Sequence, residues 1–310
     1  MTQYSKSPPE KIKPSFSGHE TFPFRYTWLK KGVDAVKNDP AVFSSDRATI
    51  TLGVGKNMVR SIRHWCITAG FIQASADRKR FEPTPLGSAI FADGGFDPYL
   101  EDTATLWLIH AQLAANADRA TTWYWAFGVF AQSEFGKKKF TADLMDWSER
   151  SGAKRIAENS IKRDVDCFLR TYVSSRLTQT TILEDSFNCP LVELNLISDS
   201  ADETTFLFHR GPKDSLPTEV FAAALSQFWD SNFYGRSSLA LGEITYSPKS
   251  PGKIFKLDVD SVVQYLEEVE TLTDGALRYD ETAGLKQVYR DRKISPMNLL
   301  SRYYGKSYNK

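Results

Sequence analysis

Residues 52–72, LGVGKNMVRSIRHWCITAGFI, run directly into QASADRKRFEPTPLG over 73–87, and this stretch decides the fold. At about 100° per residue, Met58, Val59, Ile62, Trp65, Cys66 and Ala69 share one side of a helix, while Lys56, Arg60, Arg63 and His64 share the other. One face packs and the other is cationic. Phe71–Gln73 then has the character of a short strand, Asp77-Arg78-Lys79-Arg80 of an exposed tip, and Arg80–Pro83 of a return strand. Thr84 is placed to cap a further helix that opens on Pro85. With a preceding helix from Asp34, the order is helix, turn, helix and basic hairpin, that of a winged helix-turn-helix.

Further along, Asp102 to Phe135 is helical in pattern and rich in Trp, Tyr and Phe, as a central core would be. A second helix-turn-helix follows: Phe140–Ser148, a turn near Gly152, and Ser160–Val173 with the apolar stripe Ile161, Val165, Phe168, Tyr172 and with Arg163 and Arg170 on its far side. A third echo runs through strand-like Leu191–Ile197 and Thr205–His209 to a helix over 216–229. After a turn at 247–252, helices are expected from Asp258 to the C-terminus. The fold class predicted is mainly α with short β-wings, an array of winged-helix or helix-turn-helix-like units around a helical core. The divisions expected are a mobile arm over 1–15, a winged-helix DNA-binding domain over 16–100, a central helical domain with the second helix-turn-helix over 101–185, and a C-terminal helical, winged-helix-like domain over 186–310.

The 310 residues, 41% hydrophobic and 25% charged, suit a packed globular chain and exclude a disordered one. No stretch approaches the roughly 20 apolar residues of a membrane span, and the N-terminus lacks the apolar core of a signal peptide. No membrane association and a cytoplasmic location are therefore expected. Cys66, Cys167 and Cys189 are odd in number and far apart, which predicts buried thiols rather than a disulfide framework or a zinc ribbon.

Thirty-nine Lys and Arg balance 38 Asp and Glu, yet the charges are segregated. Gly53–Arg80 holds six bases and one acid, 137–163 eight bases and four acids, and 286–310 seven bases and one acid. Residues 184–235 hold nine acids and two bases, and 258–281 eight acids and one base. A basic helix next to a basic hairpin can neutralise phosphates from two adjoining elements, so double-stranded DNA is the expected ligand. Lys56, Asn57, Arg60, Arg63, His64, Arg78, Lys79, Arg80 and Arg163 are its candidate contacts. A merely solvated cationic face is the alternative.

Gly53-Val54-Gly55-Lys56-Asn57 is not a Walker motif, because Asn57 stands where Ser or Thr would hold magnesium; a turn into the basic helix explains the glycines. Phe16-Ser17-Gly18-His19-Glu20-Thr21-Phe22-Pro23-Phe24-Arg25 is more distinctive. His19 could transfer a proton, Glu20 could hold a divalent metal or act as base, and Arg25 could hold a phosphate. The plainer alternative is that His19 and Glu20 satisfy backbone groups of an ordered loop. Asp97, Glu101 and Asp102 form a second acidic group, and Glu20 with Asp97 or Asp102 would hold magnesium only if the fold brings them together. For Glu101 and Asp102 the usual and cheaper explanation is that of helix-start acids complementing the dipole. His110, within the apolar run 106–113, is expected as a hydrogen-bonded core residue, and Trp123-Tyr124-Trp125 as core packing.

Four stretches, FSGHETFPFRYTWLKKG (16–32), LGVGKNMVRSIRHWCITAGFI (52–72), PTPLG (83–87) and DPYLED (97–102), resemble a bacterial family formerly known as a domain of unknown function, the SspB-like family of single-strand DNA phosphorothioation systems. The resemblance covers most of the chain. It implies a magnesium-dependent DNA nick, with Mg2+ as cofactor, in phosphorothioate modification and antiphage defence. It also implies an SspC-like ATPase, an SspD-like ATP pyrophosphatase and an SspA-like cysteine desulfurase as partners. Placed on the matching motifs, the catalytic candidates are His19, Glu20 and Arg25 and the metal candidates Glu20 and Asp97. A non-catalytic DNA-binding adaptor that recruits the modification enzymes is the alternative function.

Overall fold

In a computed structural model that describes residues 12–76, 79–152, 156–174, 189–200, 204–282 and 284–307, the chain is mainly helical with small antiparallel sheets. α1 (Tyr26–Asn38) buries Trp28, Leu29, Val33 and Val36 against α3 (Lys56–Thr68). Between them lie a short 3-10 turn (Val42–Ser44) and α2 (Ala48–Leu52). The hairpin β1 (Ile72–Ala74) and β2 (Phe81–Pro83) pairs Ile72 with Pro83 and Ala74 with Phe81. Thr84 caps α4 (Pro85–Phe91) by accepting from the Gly87 N–H at 3.0 Å. The sequence placed α3, the hairpin and α4 to within a few residues, because each carries its own signal: an amphipathic stripe, a basic tip between strands, a Thr-Pro start; the helix before them, expected from Asp34, starts at Tyr26 instead.

α5 (Thr103–Ala115) is apolar around nearly its whole circumference, which obliges it to be covered on every side, and residues 104–111 are all buried. His110 on this helix donates from Nε2 to the Ile254 carbonyl (2.7 Å) and accepts at Nδ1 from the Tyr172 hydroxyl (2.8 Å). Burial, with Lys256 and Lys213 nearby, lowers its pKa to about 3, so it is a neutral core residue. α6 (Thr121–Tyr124) and a π-helical turn (Trp125–Val129) place Trp123 and Trp125 in the interior. All three cysteines are buried free thiols, as expected.

Two three-stranded sheets share one order. β3 (Glu134–Gly136), α7 (Lys137–Arg150), α8 (Glu158–Tyr172), β4 (Ile197–Asp199) and β5 (Thr205–Phe208) give the order β3-β5-β4. The predicted stripe Ile161, Val165, Phe168 and Tyr172 of α8 is buried to within 1%. After α9 (Thr218–Asn232), the elements β6 (Ser238–Ala240), α10 (Leu241–Tyr246), α11 (Pro251–Ile254), α12 (Val259–Leu272), β7 (Leu277–Thr282) and β8 (Leu285–Arg290) give the order β6-β8-β7. α13 (Pro296–Ser307) lies against α9.

Two expectations are corrected. Of the segment 191–197, expected as a strand, only Ile197 is in one, at the start of β4, because residues 190–194 form a 3-10 turn opening on Pro190; β4 and β5 join β3 to complete the second sheet rather than begin a third unit. Residues 277–290, expected to be helical, form a hairpin in which Leu277 and Val288 are buried while Arg278 and Lys286 are exposed. Few of its positions are apolar, so the two-residue period is faint. The hairpin tip candidate Arg78 and most of the expected N-terminal arm, residues 1–11, lie outside the described residues. Within the arm, the backbone N–H groups of Lys13 and Ser15 donate to Asp118 (3.0 Å) and Thr121 (2.9 Å). No helix among the described residues is long and apolar enough to cross a membrane.

Lys256 is 2% exposed, with Nζ 3.0 Å from the Ala126 carbonyl and 4.0 Å from the centre of the Phe208 ring. Burial, reinforced by Arg210 and Lys253, holds its pKa well below the ordinary lysine value. The unfolded chain therefore binds a proton that the folded one releases, so this residue favours folding more as the pH rises toward about 10.5. Urea unfolding of wild type and Lys256→Met between pH 7 and 9.5 should show the wild type gaining relative stability with pH, by up to about 1.4 kcal/mol per unit.

Candidate functional site

Asp164 projects from the apolar stripe of α8 and is 2% exposed. One carboxylate oxygen accepts from the Ser17 N–H (2.6 Å) and from His19 Nε2–H (2.7 Å), and the other accepts from the Thr122 hydroxyl (2.5 Å). His19 Nδ1 accepts from the Thr21 N–H at 3.1 Å, which fixes the tautomer with the proton on Nε2. The His19 ring lies parallel to Trp65 at 5.8 Å and edge-on to Trp123 at 5.8 Å. His19 is thus 1% exposed and sits inside the protein as the anchor of its loop.

The anchored loop is bent tightly. Ser17 (φ 63°), Glu20 (φ 49°) and Thr21 (φ 70°) all occupy the left-handed region, a conformation that costs non-glycine residues free energy and persists where surrounding contacts impose it. Those contacts are Asp164 beneath, the Arg170 guanidinium donating to the Thr21 carbonyl, and Trp65 Nε1–H donating to the Phe22 carbonyl at 2.9 Å. A Cβ on Gly18 would come within 2.5 Å of His64 Nδ1, so only glycine lets the loop lie on α3. The outcome is that His19 points in while Glu20 stays at the surface, 3.4 Å from Arg60 of α3, the two side chains 33% and 48% exposed.

Next to this pair is a cavity of about 540 Å³ between the loop and the start of α3, lined by Phe22, Arg25, Trp28, Lys56, Asn57 and Met58 together with residues 53–55. Gly53 adopts a left-handed conformation (φ 62°) that turns the chain into the helix. No side chain caps α3, whose N-cap is Gly55, so its first backbone N–H groups are left for an outside acceptor.

Of the sequence candidates, the fold brings Glu20 to Arg60, and Arg25 to Lys56 and Asn57. His64 is drawn inward beside His19 instead of joining the cationic face; burial, with His19 next to it, lowers its pKa to about 3 and leaves it neutral. Lys79 and Arg80 are exposed at the hairpin, and Arg163 is exposed on α8. Asp97 is 5% exposed and accepts from the Glu101 N–H (2.8 Å), the Asp102 N–H (3.2 Å) and the Thr105 hydroxyl (2.5 Å). Asp102 caps α5 by accepting from the Ala104 N–H at 2.9 Å. With its oxygens so committed, Asp97 does not fit a magnesium ligand shared with Glu20. Among the described residues no group of three or more His, Cys, Asp or Glu side chains is arranged to hold a metal ion. Sequence reasoning missed Asp164, Thr122 and Arg170; the one signal was a carboxylate among the apolar stripe of α8.

A mainly helical chain that presents a cationic helix and an uncapped helix start beside a strained, motif-bearing loop is a candidate nucleic-acid interface. The chain belongs to the family described as "Protein of unknown function (DUF4007)", whose profile matches residues 16–304. Its fold is similar to that of a crystal structure of magnesium ion-bound SspB, with a TM-score of 0.85 and 28% identity over 96% of this chain and 89% of that one. A second SspB crystal structure gives a TM-score of 0.83 at the same identity and coverage. No curated protein matches the sequence.

Replacing Asp164 by Asn removes the charge and puts an amide NH2 in place of one of the two oxygens that now accept from Ser17, His19 and Thr122. Urea unfolding should show a loss of about 3 kcal/mol, the scale of breaking a buried hydrogen-bonded charge. The conservative change Thr122→Ser, which keeps the hydroxyl, should cost less than half of that.

Proposed function

We propose that this protein binds double-stranded DNA and nicks one strand in a phosphorothioate modification system with a role in antiphage defence. The observation that carries the reading is the exposed row of α3, Lys56 and Arg60, set between the strained loop with Glu20 and the basic hairpin with Lys79 and Arg80. The shared order of the two three-stranded sheets, β3-β5-β4 and β6-β8-β7, each with helices between its first and second strands, supports winged-helix units in the centre and C-terminal part. The helix, turn, helix and hairpin of residues 48–83 support one at the N-terminal end. The likeness to SspB supports the pathway, and with it SspA-like, SspC-like and SspD-like proteins as partners and a bacterial cytoplasm as the setting.

In the nick, Glu20 is the surface carboxylate placed to take a proton from the attacking water, and Arg60 and Arg25 are placed to neutralise charge on the phosphate. His19 acts through the loop, by holding Glu20 in its left-handed conformation. No step is assigned to a metal, because Asp97 is already committed to the start of α5. That commitment favours a second reading, a DNA-binding adaptor without cleavage of its own.

Supercoiled plasmid, incubated with the protein in magnesium and in EDTA, with and without the partner proteins, separates the two. Conversion to open circle that Glu20→Ala abolishes while duplex affinity stays within twofold supports the nickase; no conversion under any condition rejects it. For the interface, Lys56→Glu with Arg60→Glu should weaken duplex binding at least tenfold and lower the slope of log affinity against log salt by about 2, as expected for two lost phosphate contacts. An unchanged slope would place the DNA elsewhere.

A further inference from the structure

The C-terminal unit ends as the N-terminal one does, in a helix followed directly by a hairpin, but with the charge inverted. α12 precedes β7–β8 as α3 precedes β1–β2. α3 carries Lys56, Arg60 and Arg63, four and then three residues apart, and no acid. α12, VDSVVQYLEEVETL, holds Asp260, Glu267, Glu268 and Glu270 and no base. Its exposed row repeats the spacing of α3: Asp260, Gln264 and Glu267, continued by Thr271.

Two of these acids are used inside the protein, Glu268 accepting from the Thr218 hydroxyl and Glu270 from the Tyr279 N–H at 3.2 Å. Asp260 and Glu267 are exposed and make no hydrogen bond or ion pair among the described residues. The hairpin beside them leaves them so, because its charges pair with one another: Arg278 with Asp280 at 3.8 Å, and Lys286 with Glu281 at 3.2 Å. Next to the hairpin tip Leu285 stands 66% exposed, where the first hairpin carries Lys79 and Arg80. A bare carboxylate row repels a phosphate backbone and attracts ammonium and guanidinium groups.

We propose that α12 and the β7–β8 hairpin form a docking surface for a protein partner that presents a row of lysine or arginine side chains with an apolar residue at its edge. The partner's cations lie along Asp260, Gln264 and Glu267, and its apolar residue lies on Leu285. The inference rests on the winged-unit reading and deepens it, since one architecture then serves two ligands of opposite charge: a unit that faces DNA and a unit that faces protein. Charge on the helix before the hairpin decides between them, as fold alone does not.

The test uses the full chain and, as probes, the purified SspA-like, SspC-like and SspD-like proteins, titrated one at a time by interferometry. One of them should bind, and more weakly as salt rises. Asp260→Lys with Glu267→Lys should weaken that binding at least tenfold. The isosteric pair Asp260→Asn with Glu267→Gln, which leaves the helix surface unchanged in shape, should weaken it about threefold, and Leu285→Ser by a similar factor. Duplex affinity should stay within twofold of wild type throughout. Binding of none of the three proteins would overturn the inference, as would full partner affinity in the isosteric pair, or a loss of duplex binding in place of partner binding. Sedimentation of the chain alone covers the remaining occupant: self-association that the reversed pair abolishes would assign the row to a second copy and overturn the inference too. The DNA reading fails separately. If Lys56→Glu with Arg60→Glu leaves duplex binding intact, that reading falls while the partner surface stands.

Discussion

The structure turns on one buried carboxylate. Asp164 collects a backbone N–H from Ser17, the imidazole of His19 and the hydroxyl of Thr122, and so ties the first motif of the chain to α8 and α6. A carboxylate this deep is tolerated because each oxygen meets well-placed donors; remove any and the desolvation cost is uncompensated. The consequence reaches the surface. With His19 held inside, the next residue is forced outward on a left-handed backbone, and the carboxylate of Glu20 comes to rest beside Arg60.

Much of the N-terminal fold was legible in the sequence, because α3, the hairpin and α4 are each specified by local rules of periodicity, turn chemistry and capping. The second helix pair was legible for the same reason, its stripe of Ile161, Val165, Phe168 and Tyr172 being unambiguous. The C-terminal hairpin was not, since residues 277–290 alternate weakly and bury few apolar groups. The site was legible in part. The loop motif announced itself through its polar residues among aromatics, but nothing local says that His19 points inward and Glu20 outward, as that depends on a partner 145 residues away in sequence. The same limit applies to Asp97, whose carboxyl suggests a metal ligand until Thr105 and the start of α5 are seen to use it.

Segregation of charge acquires a spatial meaning in the structure. Lys56 and Arg60 lie along the exposed side of α3, and the hairpin adds Lys79 and Arg80. The acidic stretches lie on other elements, including α9 and α12. A chain with balanced totals can therefore offer a cationic surface without net repulsion across the whole molecule.

Helix α13 meets the head of α5 through contacts about 200 residues apart in sequence. Tyr304 of α13 shares a 2.6 Å hydrogen bond with Thr105 and stacks on Phe96 at 4.8 Å, while Tyr303 reaches Asp102 at 3.1 Å. Thr105 in turn donates to Asp97. During synthesis on the ribosome, the DPYLED segment therefore emerges some 200 residues before the tyrosines that complete its packing. Phe96 and the head of α5 therefore wait uncovered by α13 until synthesis is nearly complete.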